Sequence, residues 1–244
     1  MLIYGINPVL EALRAGRVKS LRVSERGAGR MRDVVDAAEQ AGIAVRRVPP
    51  QELDKASRGG VHQGVVAEVA DREAFDVADL VRGTTTPPLI VVLDGVEDPH
   101  NVGAIVRTVD AAGAHGVIRQ SRRASALDGA AAKASAGAVS HVKIAEVVNI
   151  ARALEELKDA GVWTVGLAGD APATYDKIDL TVPTAIVVGA EGSGLRRLVR
   201  DRCDFLAAIP MAGHVQSLNV SVATGVVLFE ALRQRQASKE TGGR

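Results

Sequence analysis

Residues 185–195 read Ala-Ile-Val-Val-Gly-Ala-Glu-Gly-Ser-Gly-Leu. The apolar run Ala185–Val188 is short and β-branched, and Gly189, Gly192 and Gly194 bound it, the pattern of a buried strand opening into a tight loop. A second apolar run, Phe205–Met211, leads into a loop at Gly213. Beyond Ser217, apolar residues return with helical period at Val220, Ala223, Val227 and Ala231. Ser217 is the expected N-cap of that helix. Two strands thus end in small-residue loops that each feed a helix, and in an open parallel sheet ligands bind at such places. Small residues let backbone groups approach a ligand closely. Glu191, Ser217 and Asn219 are the polar side chains left to face it.

Working outward, Leu89–Leu93 is a continuous apolar run, typical of a strand buried on both faces. It ends in the polar stretch 94–103, and a helix is expected over Ala104–Ala112 with Asp98 or Asn101 as its cap. Gly103 and Arg107 are four apart and share a face of that helix. A glycine beside a guanidinium leaves room for a bulky ligand, so Arg107 is a functional candidate. Further strands are expected at Gly116–Arg119, Val142–Val147 and Val162–Leu167. A small-residue helix is expected over Ser125–Gly137, and another runs from its cap Asn149 to Gly161. This alternation implies a mostly parallel α/β sheet.

Toward the amino terminus, Asn7, Pro8 and Gly16 mark a helix, with Asn7 as its cap. Strands at Leu21–Ser24, Ile43–Val48 and Val65–Val69, a helix at Met31–Gln40 and a short one after Pro50 complete a small α/β unit. The expected division is a domain at 1–71, a linker at 72–88 with a short helix near Val77–Val81, and a second domain at 89–238. Residues Gln236–Arg244 are expected to be disordered.

Composition narrows the classes of chemistry. The 244 residues are 47% hydrophobic and 24% charged, as in an ordinary globular protein. No apolar stretch is long enough to span a membrane, and Met1–Gly16 lacks the apolar core of a signal peptide. The single cysteine, Cys203, permits no intrachain disulfide or cysteine-based zinc site and reads as a structural thiol in a reducing cytoplasm. Net charge is only +1, but basic residues crowd together at Arg14, Arg17, Lys19, Arg22, Arg26, Arg30 and Arg32. Two further groups are Arg119, Arg122, Arg123 and Lys133, and Arg196, Arg197, Arg200 and Arg202. Each group is either a phosphate-binding patch or a solvated face. Aromatic content of 2% argues against recognition by base stacking. The loop Gly189-x-x-Gly192-x-Gly194 reverses the dinucleotide fingerprint and lacks the Lys-Ser/Thr of a P-loop. No G-x-S-x-G or H-E-x-x-H occurs, so hydride transfer, NTP hydrolysis, serine hydrolysis and zinc catalysis all lack their usual parts.

Three segments taken together carry a family resemblance: 93–108 (Leu-Asp-Gly-Val-Glu-Asp-Pro-His-Asn-Val-Gly-Ala-Ile-Val-Arg-Thr), 188–195 (Val-Gly-Ala-Glu-Gly-Ser-Gly-Leu), and 209–213 (Ile-Pro-Met-Ala-Gly) with 217–223 (Ser-Leu-Asn-Val-Ser-Val-Ala). In order and spacing they resemble the motifs of the SpoU (TrmH-type) RNA 2′-O-ribose methyltransferases of the SPOUT superfamily. Residues 4–13 and 61–64 resemble the amino-terminal domain of the subgroup that methylates a guanosine of 23S ribosomal RNA. The resemblance implies a small RNA-binding α/β domain followed by a mostly parallel α/β domain with a trefoil knot. It implies S-adenosylmethionine as methyl donor, held by Gly189, Ala190, Gly192, Ile209, Met211 and Leu218. Arg107, Glu191, Asn219, Asn101 and Ser217 would carry catalysis, and His62 in the glycine-rich loop 57–64 would contact RNA. It further implies a homodimer with the active site at the subunit interface, acting on RNA; a cytoplasmic location and no DNA or membrane partner are expected beside it. Transfer RNA as substrate, and RNA binding without chemistry, stay open as alternatives.

Overall fold

The computed structural model describes residues 2–25, 29, 31–70, 74–121, 127 and 130–242. The chain divides into two compact units. One comprises Met1–Glu73, Val102–Arg107 and Ser125–His141. The other comprises Ala74–Asn101, Thr108–Ala124 and Val142–Arg244.

The first unit is built on β1 (Leu2–Tyr4), α1 (Ile6–Arg14), β2 (Val18–Ser24), α2 (Met31–Gln40), β3 (Val45–Val48), α3 (Pro50–Ser57) and β4 (Val65–Val69). Its four strands lie in the order β1-β4-β2-β3, with β4 antiparallel to both neighbours and β2 parallel to β3. Val9, Leu21, Val34, Leu53, Val65 and Val66 are fully buried in it. Gly5, not Asn7, precedes the first turn of α1. The β1 strand was not expected because three residues are too few to show a period.

In the second unit come α4 (Val77–Val81), β5 (Leu89–Asp94), β6 (Gly116–Gln120), β7 (Ile144–Val147), α7 (Ile150–Asp159), β8 (Trp163–Leu167), β9 (Ala173–Thr174), β10 (Thr184–Gly189), α8 (Arg197–Arg202), β11 (Phe205–Ala208) and α9 (Val220–Gly242). Helix α5 (Pro99–Ala111) contributes to both units, and α6 (Ala130–Ala134) belongs to the first. The seven strands run β7-β6-β5-β10-β8-β11-β9, and every pair is parallel. Alternation along β5 and β10 sends Ile90, Val92, Ala185 and Val187 to one face, where they pack with Leu80, Leu154, Leu157 and Val199. Within α9 the residues buried are Val220, Thr224, Val227, Leu228 and Ala231.

Four local expectations are corrected. Helix α5 starts at Pro99, five residues earlier than expected, because Asp98 caps it: its carboxylate accepts from the amides of His100 and Asn101, both at 3.2 Å. Asn101 is therefore helical and not a cap. The small-residue helix is confined to Ala130–Ala134, with a 3₁₀ turn at Ala138–Ser140, while 125–126 and 128–129 lie outside the described residues. Residues 236–242 continue α9 and are not disordered; 243–244 lie outside the described residues. That helix is anchored by Arg235, which donates to the carbonyls of Leu180, Pro88 and Val182 at 2.9, 3.1 and 2.9 Å.

Candidate active site

The carboxyl ends of β8, β10 and β11 surround a cavity of about 360 Å³. Its walls are Leu167–Asp170 after β8, the loop Gly189–Leu195 after β10, and Ile209, Met211 and Gln216–Leu218 after β11, with Val220 and Ala223 of α9. The six residues expected to hold a donor, Gly189, Ala190, Gly192, Ile209, Met211 and Leu218, all line it, as do Glu191 and Ser217. The loop after β10 folds back on its own strand. The amide of Gly194 donates to the carbonyl of Ala190 at 2.9 Å, and Gly192 and Gly194 take φ of +81° and +66°. Gly189 lies so close beneath the returning chain that a Cβ there would sit 2.1 Å from the carbonyl carbon of Gly194.

One side chain ties the three motif segments together. Asn219 Nδ2 donates to Glu191 Oε1 at 2.6 Å and to Asn101 Oδ1 at 2.9 Å. Its Oδ1 accepts from the amide of Ser221 at 2.9 Å and from the Ser221 hydroxyl at 2.5 Å. Both amide hydrogens and the carbonyl oxygen are thus used, which fixes the rotamer and leaves Glu191 Oε2 outside these bonds. Asn101 is buried, whereas Glu191 and Asn219 are exposed. Asn219, not Ser217, supplies the side-chain cap at the start of α9. Ser217 lines the cavity but is no member of this network. Arg107 is exposed on α5 and its side chain forms no hydrogen bond or ion pair among the described residues, so these bonds do not join it to the network.

Among the described residues, the basic groups are engaged in part. Arg196 pairs with Asp94, Arg200 with Asp170 and Arg202 with Glu155, while Arg197 of the same group is exposed. In the second group Arg119 is buried and pairs with Glu146 at 3.5 Å, Lys133 is exposed, and Arg122 and Arg123 lie outside the described residues. In the first, Arg14 pairs with Glu11, Arg22 lies 3.7 Å from Glu52, and Arg17 donates to the carbonyl of Ala70; Lys19 and Arg32 are exposed, and Arg26 and Arg30 lie outside the described residues. His62 is held at both ring nitrogens, by Asp54 at 3.0 Å and by the amide of Gly64 at 3.0 Å. Burial pushes the Cys203 thiol up to about 12, which keeps it protonated and inert.

Two polar pairs beside the cavity escaped sequence reasoning. Asp170 and Arg200 meet in a two-bonded fork at 2.9 and 3.0 Å on the cavity wall, and the guanidinium holds the Asp170 carboxyl below its ordinary range. The small-residue loop 168–172 at a strand's carboxyl end signalled this wall. The second pair, Asp94 with Arg196, had no sequence signal, because the partners are 102 residues apart.

Comparison with known proteins bears directly on this geometry. Residues 88–229 match the model of the SpoU rRNA Methylase family, and residues 2–75 match that of the RNA 2′-O ribose methyltransferase substrate-binding domain. The 23S rRNA (guanosine-2′-O-)-methyltransferase RlmB of Pseudomonas putida is 46% identical over 243 residues, covering 97% of this chain and 98% of that protein. The SpoU methyltransferase AviRb of Streptomyces viridochromogenes, solved with the cofactor AdoMet, superposes with a TM-score of 0.80 at 27% identity, covering 97% of this chain and 91% of that one. An AdoMet-bound rRNA methyltransferase of Sinorhizobium meliloti gives a TM-score of 0.77 at 30% identity, covering 95% and 86%. A cavity at the strand ends walled by the three motif segments, on a chain matched from end to end in this way, places the protein in the SpoU rRNA methylase family.

Proposed function

We propose that this protein transfers a methyl group from S-adenosylmethionine to the 2′-hydroxyl of a guanosine ribose in 23S rRNA. The observation that carries the reading is the cavity at the ends of β8, β10 and β11, with Glu191 on its wall and Asn219 hydrogen-bonded behind it. Its size falls in the range of small-molecule sites. Its lining of loop backbone with Leu167, Ile209, Met211 and Leu218 suits a nucleoside whose aliphatic arm carries a sulfonium. S-adenosylmethionine, when bound, supplies a methyl group already activated as a sulfonium.

The remaining work falls to the chain. Gly189, Ala190, Gly192, Ile209, Met211 and Leu218 hold the donor, largely through backbone groups. Positioning of the reacting groups accounts for much of the rate. A guanidinium is a poor base, and the part of Arg107 is to stabilise the developing alkoxide and the adjacent phosphate. Glu191 is the proton acceptor or the group that orients the arginine. Asn219 and Asn101 hold Glu191 in place, and Ser217 positions the ribose. Residues 1–71 bind the RNA, 72–88 link, and 89–238 carry the chemistry. The strand order, with β10 inserted between β5 and β8, is compatible with a carboxyl-terminal trefoil knot. Two copies act together, in the cytoplasm; no helix among the described residues is long and apolar enough to cross a membrane.

The test is transfer of labelled methyl to unmodified 23S rRNA and to bulk tRNA, with the site mapped by resistance to alkaline cleavage. A single 2′-O-methylguanosine in 23S rRNA, lost in Arg107→Ala, is expected. Methylation of tRNA alone would overturn the substrate. Absence of donor binding would overturn the enzyme reading. An Arg107→Lys enzyme with most of its rate would overturn the guanidinium's role.

A further inference from the structure

Asp94 is the last residue of β5 and is completely buried, yet it is a carboxylate. It stands in register with Gly189, the last residue of β10, so the two strands end side by side. Alternation puts Asp94 on the face of Ile90 and Val92, which Val199 of α8 covers. There the carboxylate meets Arg196, the residue that precedes α8. Oδ2 accepts from the Arg196 amide at 2.8 Å, Oδ1 accepts from Arg196 Nε at 2.6 Å, and the guanidinium Nη2 also meets Oδ1. A buried carboxylate without donors would be strongly disfavoured, and here the donors come from one residue.

The consequence lies in what the pair brackets. The loop Ala190–Leu195 leaves β10 beside Asp94 and returns at Arg196, again on Asp94. Both ends of the loop that walls the cavity and carries Glu191 are therefore fixed to one residue: one to its backbone by strand register, the other to its carboxylate by charged hydrogen bonds. We propose that Asp94 and Arg196 are positioning residues for donor binding, a latch that sets the height of the glycine loop over the cavity without touching the donor. This rests on the cavity being the donor site. By comparison with groups that orient the ligands of a bound metal without touching it, loss of the latch lowers affinity roughly 10–100-fold.

Asp94→Asn tests this, because it keeps the volume and one acceptor but turns the other oxygen into a donor facing donors. The matched control is Asp204→Asn. Asp204 lies before β11, at the opposite end of the sheet, and also ties a backbone amide (Thr164, 2.9 Å) and a cation (Lys158, 2.9 Å). Donor affinity by calorimetry, rRNA affinity and thermal unfolding are measured on all three full-length proteins. The expected result is donor affinity at least about tenfold weaker in Asp94→Asn with rRNA affinity unchanged, while Asp204→Asn unfolds earlier but binds donor as the parent does. If Asp94→Asn fails to fold, Arg196→Ala takes its place, since it keeps the amide bond to Asp94; partial recovery in Arg196→Lys is then expected. Equal donor affinity in the Asp94 or Arg196 variants and the parent would overturn the latch. Equal weakening in Asp204→Asn would do the same, by making the effect one of general stability. A parent protein that binds no donor would instead overturn the reading of the cavity.

Discussion

Replacing Gly189 by alanine adds one methyl group where the fold has no room for it. The new Cβ would lie 2.1 Å from the carbonyl carbon of Gly194, 2.2 Å from its oxygen and 2.3 Å from the amide nitrogen of Leu195. All three are backbone atoms, so no rotamer change relieves the clash. Ordinary contact begins near ~3.5 Å, and the returning loop must therefore retreat by more than ~1 Å. Overpacking of this kind costs roughly 1–3 kcal/mol in stability. A displacement of ~1 Å in a site's wall is worth on the order of 10²-fold in function. Gly213→Ala is the internal comparison, because its Cβ would meet nothing within 4 Å. Calorimetric titration with S-adenosylmethionine and thermal unfolding of both variants are the assays. Gly189→Ala is expected to bind on the order of 10²-fold more weakly and to unfold earlier, and Gly213→Ala to match the parent. If Gly189→Ala bound within about threefold of Gly213→Ala, a difference under ~1 kcal/mol, the loop would not be the donor's wall.

Two further outcomes are expected. Asn219→Asp replaces an amide that donates to both Glu191 and Asn101 with a second carboxylate against Glu191. Methyl transfer should fall by on the order of 10²–10³ with donor affinity nearly intact, and the rate should recover in part as pH falls and the carboxylates share a proton; a flat pH–rate profile would contradict this. His115 accepts the amide of Leu89 at Nδ1, 2.9 Å away, and burial, then the charge of Arg235, hold its pKa below the ordinary 6.5. A lowered histidine favours the folded state fully above its unfolded value, and that contribution is lost as pH falls from 6.5 through the folded value. Melting temperature should therefore drop more steeply below pH 6.5 in the parent than in His115→Asn, which keeps an acceptor but does not titrate; parallel curves would refute it.

Where local pattern and tertiary demand agree, the sequence was legible. Helices α2 and α4 and strand β4 were expected to the residue, and β5 and β10 to within a residue at each end, because apolar runs and flanking glycines or prolines leave little choice. The start of α5 was ambiguous because Asp98 and Asn101 are both good caps; Pro99 at the first helical position favours Asp98, and its carboxylate does cap the helix. The end of α9 was misread because its polar composition is that of a tail, whereas Arg235 fastens it to strand-end carbonyls that no local window contains. The cavity-lining residues were reached through the resemblance, on loops whose positions the strand pattern supplied. The latch at Asp94 was out of reach: a carboxylate at a strand end and an arginine 102 residues later look like ordinary surface charges until the sheet sets them side by side.

The strand order also bears on synthesis. Thr184 pairs with Leu89, so the neighbour that completes one flank of β5 is translated 95 positions later. At ~5–20 residues per second, β5 waits roughly 5–20 s on the ribosome for that partner. Of its two neighbours in the finished sheet, only β6 has been made in the meantime. The unpaired apolar edge of Leu89–Leu93 is an adhesive surface of the growing polypeptide in that interval, and chaperone contact is expected there. An enzyme that modifies ribosomal RNA thus depends on the ribosome's pace to cover an inner strand of its own sheet.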